Sequence, residues 1–312
     1  MQNRTLVMEF IIRGFLGTQN QRVLFFVVFL AIYLITVMGN LMIIVLTSAD
    51  SRLSTPMYFF LGNLSFLDLF CISTTVPKML VSFLEDKGVI SFYGCAAQLY
   101  FFLFLACTES VILASMAYDR YVAICDPLHY TILMNRRVCI QMIAISWVAG
   151  NISAATHTVN TFRLPYCRSN VINHFFCDIP ALLNIACADI YINQVVVLVV
   201  GGFLMLGCCF LIIISYMRII SSVLRIPSGQ GRGKAFSTCS SHLIVVMLFY
   251  GTGSFTYLKP TSSYSANEDS VISVFYAIIT PMLNPIIYSL RNKEIQEAMK
   301  KMISGKTFSC RI

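Results

Sequence analysis

Two carboxylates stand where carboxylates are costly. Asp68 and Glu109 each lie in the middle of a long apolar run, and an ionisable residue inside a membrane is a functional candidate by default. If both were ionised they would repel, so either one holds a proton or a cation sits between them. Asn40 and Asn284, in other apolar runs, bring further oxygens. Two readings stay open: a site for a sodium-sized cation, or a hydrogen-bonded network of protonated acids. Asp119-Arg120-Tyr121 closes a third apolar run. An arginine there needs a partner, which Asp119 could be, or a route for its head group to the interface. Cysteines form the next set. Cys95, Cys167, Cys177 and Cys187 fall on one side of the apolar runs, and four cysteines in an oxidising compartment allow three pairings. Spacing alone does not choose among them. Cys71, Cys107, Cys125, Cys139, Cys208, Cys209 and Cys239 lie in or beside the runs, where a free cysteine behaves as a small apolar residue.

The elements that must position these groups are membrane helices. Hydrophobic residues make up 57% of the 312 and charged residues 12%, with a mean hydropathy of +0.76, whereas soluble domains carry about 25% charge. A span needs roughly 20 apolar residues to cross about 30 Å of hydrocarbon. Seven segments qualify: Val23–Leu46, Pro56–Leu84, Cys95–Tyr121, Val138–Val159, Gln194–Ile220, Phe236–Leu258 and Val271–Leu290. They lack the alternation of barrel strands, and in lipid only helices or closed barrels satisfy every backbone group. The expected fold is therefore an all-α seven-helix transmembrane bundle. It divides into an extracellular segment 1–22, a membrane domain 23–290 and a cytosolic tail 291–312. The first run is too long for a signal-peptide core and reads as an uncleaved anchor.

Most of the 22 lysines and arginines, among them Arg52, Arg136, Arg137, Arg218, Arg225 and the tail residues, fall on one side if the N-terminus is outside; basic loops face the cytosol. Asn3-Arg4-Thr5 is a glycosylation acceptor that agrees with this orientation, while the sequons at Asn63 and Asn151 fall inside spans. Net charge is +8, but the basic residues form no continuous stripe, so nucleic acid is not an expected partner. No nucleophile–base–orienter set and no phosphate-cradling glycine loop appears, and nothing suggests catalysis. A transporter or channel is opposed by the odd span count and the missing inverted repeat.

Five strings in order, spread over nearly the whole chain, resemble the odorant (olfactory) receptors among the rhodopsin-like G-protein-coupled receptors. They are Gly39-Asn40; Pro56-Met57-Tyr58-Phe59-Phe60-Leu61 leading to Leu64-Ser65 and Asp68; Met116–Cys125 followed by Asp126-Pro127-Leu128-His129-Tyr130; Lys234–Leu243; and Pro281–Asn292. The resemblance implies the pairs Cys95–Cys177 and Cys167–Cys187, pinning a lid over residues 160–193. It also implies a switch: Asp119 holds Arg120 at rest. Ligand binding then lets helix 6 move and frees Arg120 to meet Tyr216, Tyr288 and a heterotrimeric G protein of the stimulatory class, which raises cAMP. Tyr121, Asn284 and Pro285 belong to the same switch.

Counting back from Arg120 at about 1.5 Å per residue places Phe102–Cys107 roughly 20–27 Å away in helix 3. There Phe102, Leu103, Ala106 and Cys107 lie at helical spacings. The resemblance adds Val200, Gly201 and Leu204 from helix 5, and Tyr250, Gly253, Ser254 and Tyr257 from helix 6. Such a lining suits a small, mostly hydrophobic odorant. No acidic residue occupies Tyr100–Ala106, where an amine receptor would place a counter-ion, and Val271–Leu290 has no lysine for a retinal Schiff base. The same fold sensing a metabolite outside the nose is the alternative role.

His174-Phe175-Phe176-Cys177-Asp178 contains metal-ligating types, but the implied disulfide takes Cys177 and a lone histidine is a thin set. His157 reads as a hydrogen-bonded helix-end residue. After Asn292, Ile295, Met299 and Met302 recur at helical spacing beside Lys300 and Lys301, as in a short amphipathic cytosolic helix lying on lipid. Cys310 in the tail is a candidate acceptor for palmitoylation. The expected location is the plasma membrane.

Overall fold

The computed structural model describes residues 7–14, 18–85, 88–167, 169–225, 229–257 and 271–304, without the side chains of 229–232, 234–238, 256, 257 and 291. Asn3 and Cys310 lie outside the described residues. Helices α1 (Gln19–Ala49), α2 (Pro56–Leu84), α3 (Phe92–Cys125), α4 (Arg136–Phe162), α5 (Tyr191–Leu224) and α7 (Val271–Leu290) are each long and apolar enough to cross a membrane. Helix α6 (Gly229–Tyr257) is the seventh; its apolar stretch is Cys239–Phe255. Helix α8 (Lys293–Ile303) follows.

Most helices begin or end outside the expected apolar runs. Hydropathy registers only the lipid-facing length, while capping groups carry the helix further. Ser91 Oγ accepts from Gly94 N at the start of α3 (3.1 Å), and Asn135 Oδ1 accepts from Val138 N at the start of α4 (3.1 Å). These satisfy backbone donors that a helix start leaves free. Likewise α1 starts at Gln19 rather than Val23, with Thr18 N donating to Gln21 Oε1 at 2.9 Å.

Helix α3 is the axis of the bundle, packing against α2, α4, α5 and α6. Its apolar window is 67% buried in protein, against 11% for α5, so α5 offers most of its apolar surface to lipid. Helix α4 packs most extensively on this axis. Its buried face, Ser146, Gly150, Ser153, Ala154, His157 and Thr161, is mostly small. A Cβ on Gly150 would sit 2.8 Å from the Phe104 carbonyl oxygen and would also strike Thr108. Gly150→Ala should therefore overpack this seam at a cost of about 1–3 kcal/mol. The measurement is thermal stability of the detergent-solubilised receptor beside its surface delivery; an unchanged melting temperature would contradict the assigned contact.

At the disulfide end, the N-terminal segment adds an element absent from the expected fold. Strand β1 (Glu9–Ile12) is the middle of a three-stranded sheet, antiparallel to β2 (Gly88–Ser91) and parallel to β3 (Val171–Ile172). Phe10 and Ile12 alternate inward, and Phe10 meets the Tyr166 ring edge-on at 5.3 Å. The segment before the first span is thus tied to the loops after α2 and α4.

At the opposite end, α8 docks on the bundle. Asn292 Oδ1 caps Glu294 N and Ile295 N (3.0 and 3.3 Å). Tyr58 OH donates to Glu294 Oε2 at 2.6 Å and accepts from Asn292 Nδ2 at 2.8 Å. Ile295, expected on lipid, is instead fully buried with Ala298, because these contacts turn that face inward. Arg52 bridges from Asp50 (2.6 Å) toward Glu297 (3.5 Å), and its hydrogen bonds hold the Asp50 carboxyl below the usual carboxylate range.

Candidate ligand cavity and switch

A cavity of about 130 Å³ opens among α3, α4, α5, α6 and α7, comparable to apolar cavities of roughly 150 Å³ that take up benzene. Phe102, Leu103, Ala106 and Cys107 form its α3 wall. Gly201 faces it from α5, and Tyr250, Gly253 and Ser254 from α6. Val200 and Leu204 are not among its walls. Residues Val197–Gly201 form a π-helical turn, which inserts a residue and shifts the register of everything that follows. The α5 lining consists instead of the pairs Val197/Leu198, Gly201/Gly202 and Met205/Leu206, followed by Cys209, each four residues on from the last. The Tyr257 side chain lies outside the described residues.

Several wall residues escaped the sequence reading. Tyr276 enters from a second π-helical turn, Phe275–Ile279 in α7, a distortion that no hydropathy pattern reveals. Ile179 forms part of the wall from the lid. His157 is not a helix-end residue; it lies within α4 on the cavity and is 3% exposed. The signal available was its position seven residues after Gly150 on the small-residue face.

Disulfides join Cys95 to Cys177 and Cys167 to Cys187. Cys177 N also donates to Gln98 Oε1 at 3.0 Å, and Gln98 Nε2 reaches the Thr74 carbonyl at 3.0 Å. The lid is therefore fastened to α3 and, through Gln98, to α2. Phe176 packs on Phe102 with centroids 5.0 Å apart. Asp178 caps its own short helix at Ile179 N (2.8 Å) and accepts from Tyr276 OH at 2.6 Å. His174 Nδ1 pairs with the Phe176 carbonyl (3.0 Å). With Cys177 in a disulfide and Asp178 engaged, this string offers no metal-ligand set, and no cluster of three such residues occurs among the described residues.

Below the cavity, Asn284 Nδ2 donates to both Asp68 oxygens (2.9 and 3.2 Å). Asn40 Nδ2 donates to the Thr36 and Pro281 carbonyls (3.0 and 3.1 Å). Glu109 Oε1, Asn284 Oδ1 and Asn40 Oδ1 are buried and without partners. Hard oxygens with open lone pairs suit a small cation. Glycine at position 39 lets α1 approach α7 here, since a Cβ would lie 3.0 Å from the Pro285 ring.

At the far end, Arg120 Nη2 stands 3.1 Å from Asp119 Oδ2. Asp119 Oδ1 accepts from Tyr130 OH at 2.8 Å, and burial pushes the Tyr130 phenol up, so it remains a donor. Tyr121 is half-buried, its ring 6.1 Å from that of Tyr118. Tyr216 does not meet Arg120. Its OH bonds to His242 Nδ1 at 2.7 Å, while His242 Nε2 meets the Leu113 carbonyl at 3.1 Å. A carbonyl only accepts, so Nε2 carries the proton and Tyr216 is the donor to Nδ1. Through His242, α3, α5 and α6 are tied together. Tyr288 OH is buried and without a hydrogen-bond partner.

Comparison with known proteins agrees with this architecture. The family profile described as "Olfactory receptor" matches residues 29–306. Olfactory receptor 5AR1 of Mus musculus is 51% identical over 305 residues, covering 98% of both chains. Olfactory receptor 5I1 of Homo sapiens is 51% identical over 308 residues, covering 99% of this chain and 98% of the relative. The olfactory receptor-like protein OLF1 of Canis lupus familiaris is 51% identical over 307 residues, 98% and 99% respectively. With seven apolar helices and matches that run from end to end, the chain belongs to the olfactory receptor family, G-protein-coupled receptors and not enzymes.

Proposed function

We propose that this receptor binds a small, mostly hydrophobic odorant in the cavity bounded by α3, α5 and α6, and activates a stimulatory, olfactory-type G protein that raises cAMP. The observation that carries the reading is the cavity itself: partly open, walled mainly by apolar side chains such as Phe102, Leu103, Met205 and Phe249 with few polar groups, and bordered by Ile179 of the lid. Apolar burial supplies affinity there without a charged anchor. The N-terminus lies outside and the tail in the cytosol of the plasma membrane, so the disulfides face the oxidising side and Arg120 faces the G protein. Asn3 carries the glycan. The test is a cAMP reporter in cells expressing the full chain, read against a broad odorant panel. Silence across the panel, with surface labelling confirmed, would overturn the reading.

The acids at 68 and 109 hold a sodium-sized cation in the resting state, with Asn40 and Asn284 as oxygen ligands. A cation that favours the resting state opposes agonist by linkage. Replacing external sodium with choline should lower agonist EC50 several-fold, and Asp68→Asn should remove the dependence. Equal potency in both salts would leave a network of protonated acids in its place.

A further inference from the structure

Two side chains on the cavity wall hold a buried polar atom without a hydrogen-bond partner: Glu109 Oε1, which belongs to the polar site below, and His157 Nδ1. His157 is 3% exposed, and its Nδ1 has no hydrogen-bond partner. Three neighbouring polar groups are engaged within the protein. Tyr276 OH goes to Asp178, Tyr250 OH pairs with Ser110, and the Cys107 thiol donates to Ser153 Oγ at 3.4 Å. A buried polar atom without a partner is uncommon because it forfeits its hydration for nothing. The packing brings His157 here deliberately: the bare Gly150 seam draws α4 onto α3. Opposite the ring stands Gly201, where a Cβ would lie 3.4 Å from His157 Nε2, so α5 places no side chain over it.

We propose that His157 is the polar anchor for the ligand, and that the ligand class is a neutral, mostly apolar molecule carrying one hydrogen-bonding oxygen, as in an alcohol, ketone or ester. The oxygen sits at the α4–α5 wall and the hydrocarbon lies against Phe102, Leu103 and Phe249. A neutral imidazole offers one donor and one acceptor, so it meets a carbonyl or a hydroxyl. A carboxylic acid is disfavoured, since among the described residues no lysine or arginine lines the cavity while Glu109 does, and a buried charge without a counter-charge is costly. This inference rests on the cavity being the odorant site.

The experiment measures cAMP responses of the full-length receptor to C6–C10 alcohols, ketones and esters, with the matching alkenes and carboxylic acids. Wild type should respond to oxygenated members with potencies at least tenfold above the matching alkenes, the size expected of one well-made hydrogen bond. In His157→Phe that ratio should fall to within about threefold, and His157→Gln, which keeps a donor and an acceptor, should restore it. Surface labelling accompanies each variant, and His157→Leu replaces the Phe variant if that protein is not delivered. An unchanged ratio in the apolar variant, or best responses to acids or hydrocarbons, overturns the anchor while leaving the odorant site standing. Silence of surface-delivered wild type to every compound overturns both together.

Discussion

Arg120→Ala is expected to abolish agonist-stimulated cAMP while surface labelling stays near wild type. The side chain is 13% exposed and faces a carboxylate that is 1% exposed. It lies at the rim of the bundle, so its loss opens no core cavity. What is lost is a fixed, permanently charged group with five donors that suits a partner's carbonyls and carboxylates. The cost to folding is offset because Asp119 keeps Tyr130 OH as a donor at 2.8 Å. Asp119→Asn probes the other side of the pair. It preserves an acceptor for Tyr130 but removes the charge that holds Arg120, so agonist-free cAMP should rise several-fold through a shift toward the active state. Normal agonist responses in Arg120→Ala would sink the assignment of the switch, and absent surface labelling would assign Arg120 to folding instead.

The same contacts explain why the Asp119–Arg120 pair was legible early and the cavity only partly. Asp119-Arg120-Tyr121 conflicts with its apolar surroundings, and such local conflicts point to function. Asp68 and Glu109 announce themselves in the same way. Helix α2 matches its expected bounds because Pro56 sits at its first turn and fixes the start. The errors have physical causes. Val200 and Leu204 came with the resemblance, and neither is among the cavity walls, where the π turn at Val197–Gly201 spaces the α5 lining four residues apart. His157 was read by residue type, when its place on the face of Gly150 and Ser153 decides what it touches. Strand β1 went unseen because four residues of alternation acquire meaning only once β2 and β3, some 80 and 160 residues away, pair with them. Ile295 was placed on lipid because amphipathicity says which face is apolar and not what covers it.

Breaking the Cys95–Cys177 bridge should remove the receptor from the cell surface, and breaking Cys167–Cys187 should do less. The two bonds close loops of 82 and 20 residues. Chain entropy in the unfolded state then assigns them about 4.5 and about 3.3 kcal/mol. The larger value is a sizeable part of an ordinary stability margin. Position widens the difference. Cys177 lies between Phe176, which packs on Phe102, and Asp178, which receives Tyr276, so releasing it loosens the cavity roof along with the chain. Cys167–Cys187 ties the lid only to itself, where the Cys187 N to Pro165 O bond of 2.9 Å already holds the ends together. The double variants Cys95→Ser/Cys177→Ser and Cys167→Ser/Cys187→Ser avoid mispairing of a leftover thiol. Surface labelling and the melting temperature of solubilised protein should rank wild type, then the 167/187 variant, then the 95/177 variant, the last roughly 10 °C below wild type. Equal delivery and equal melting of the 95/177 variant would mean that the sheet and the Gln98 contacts hold the lid unaided.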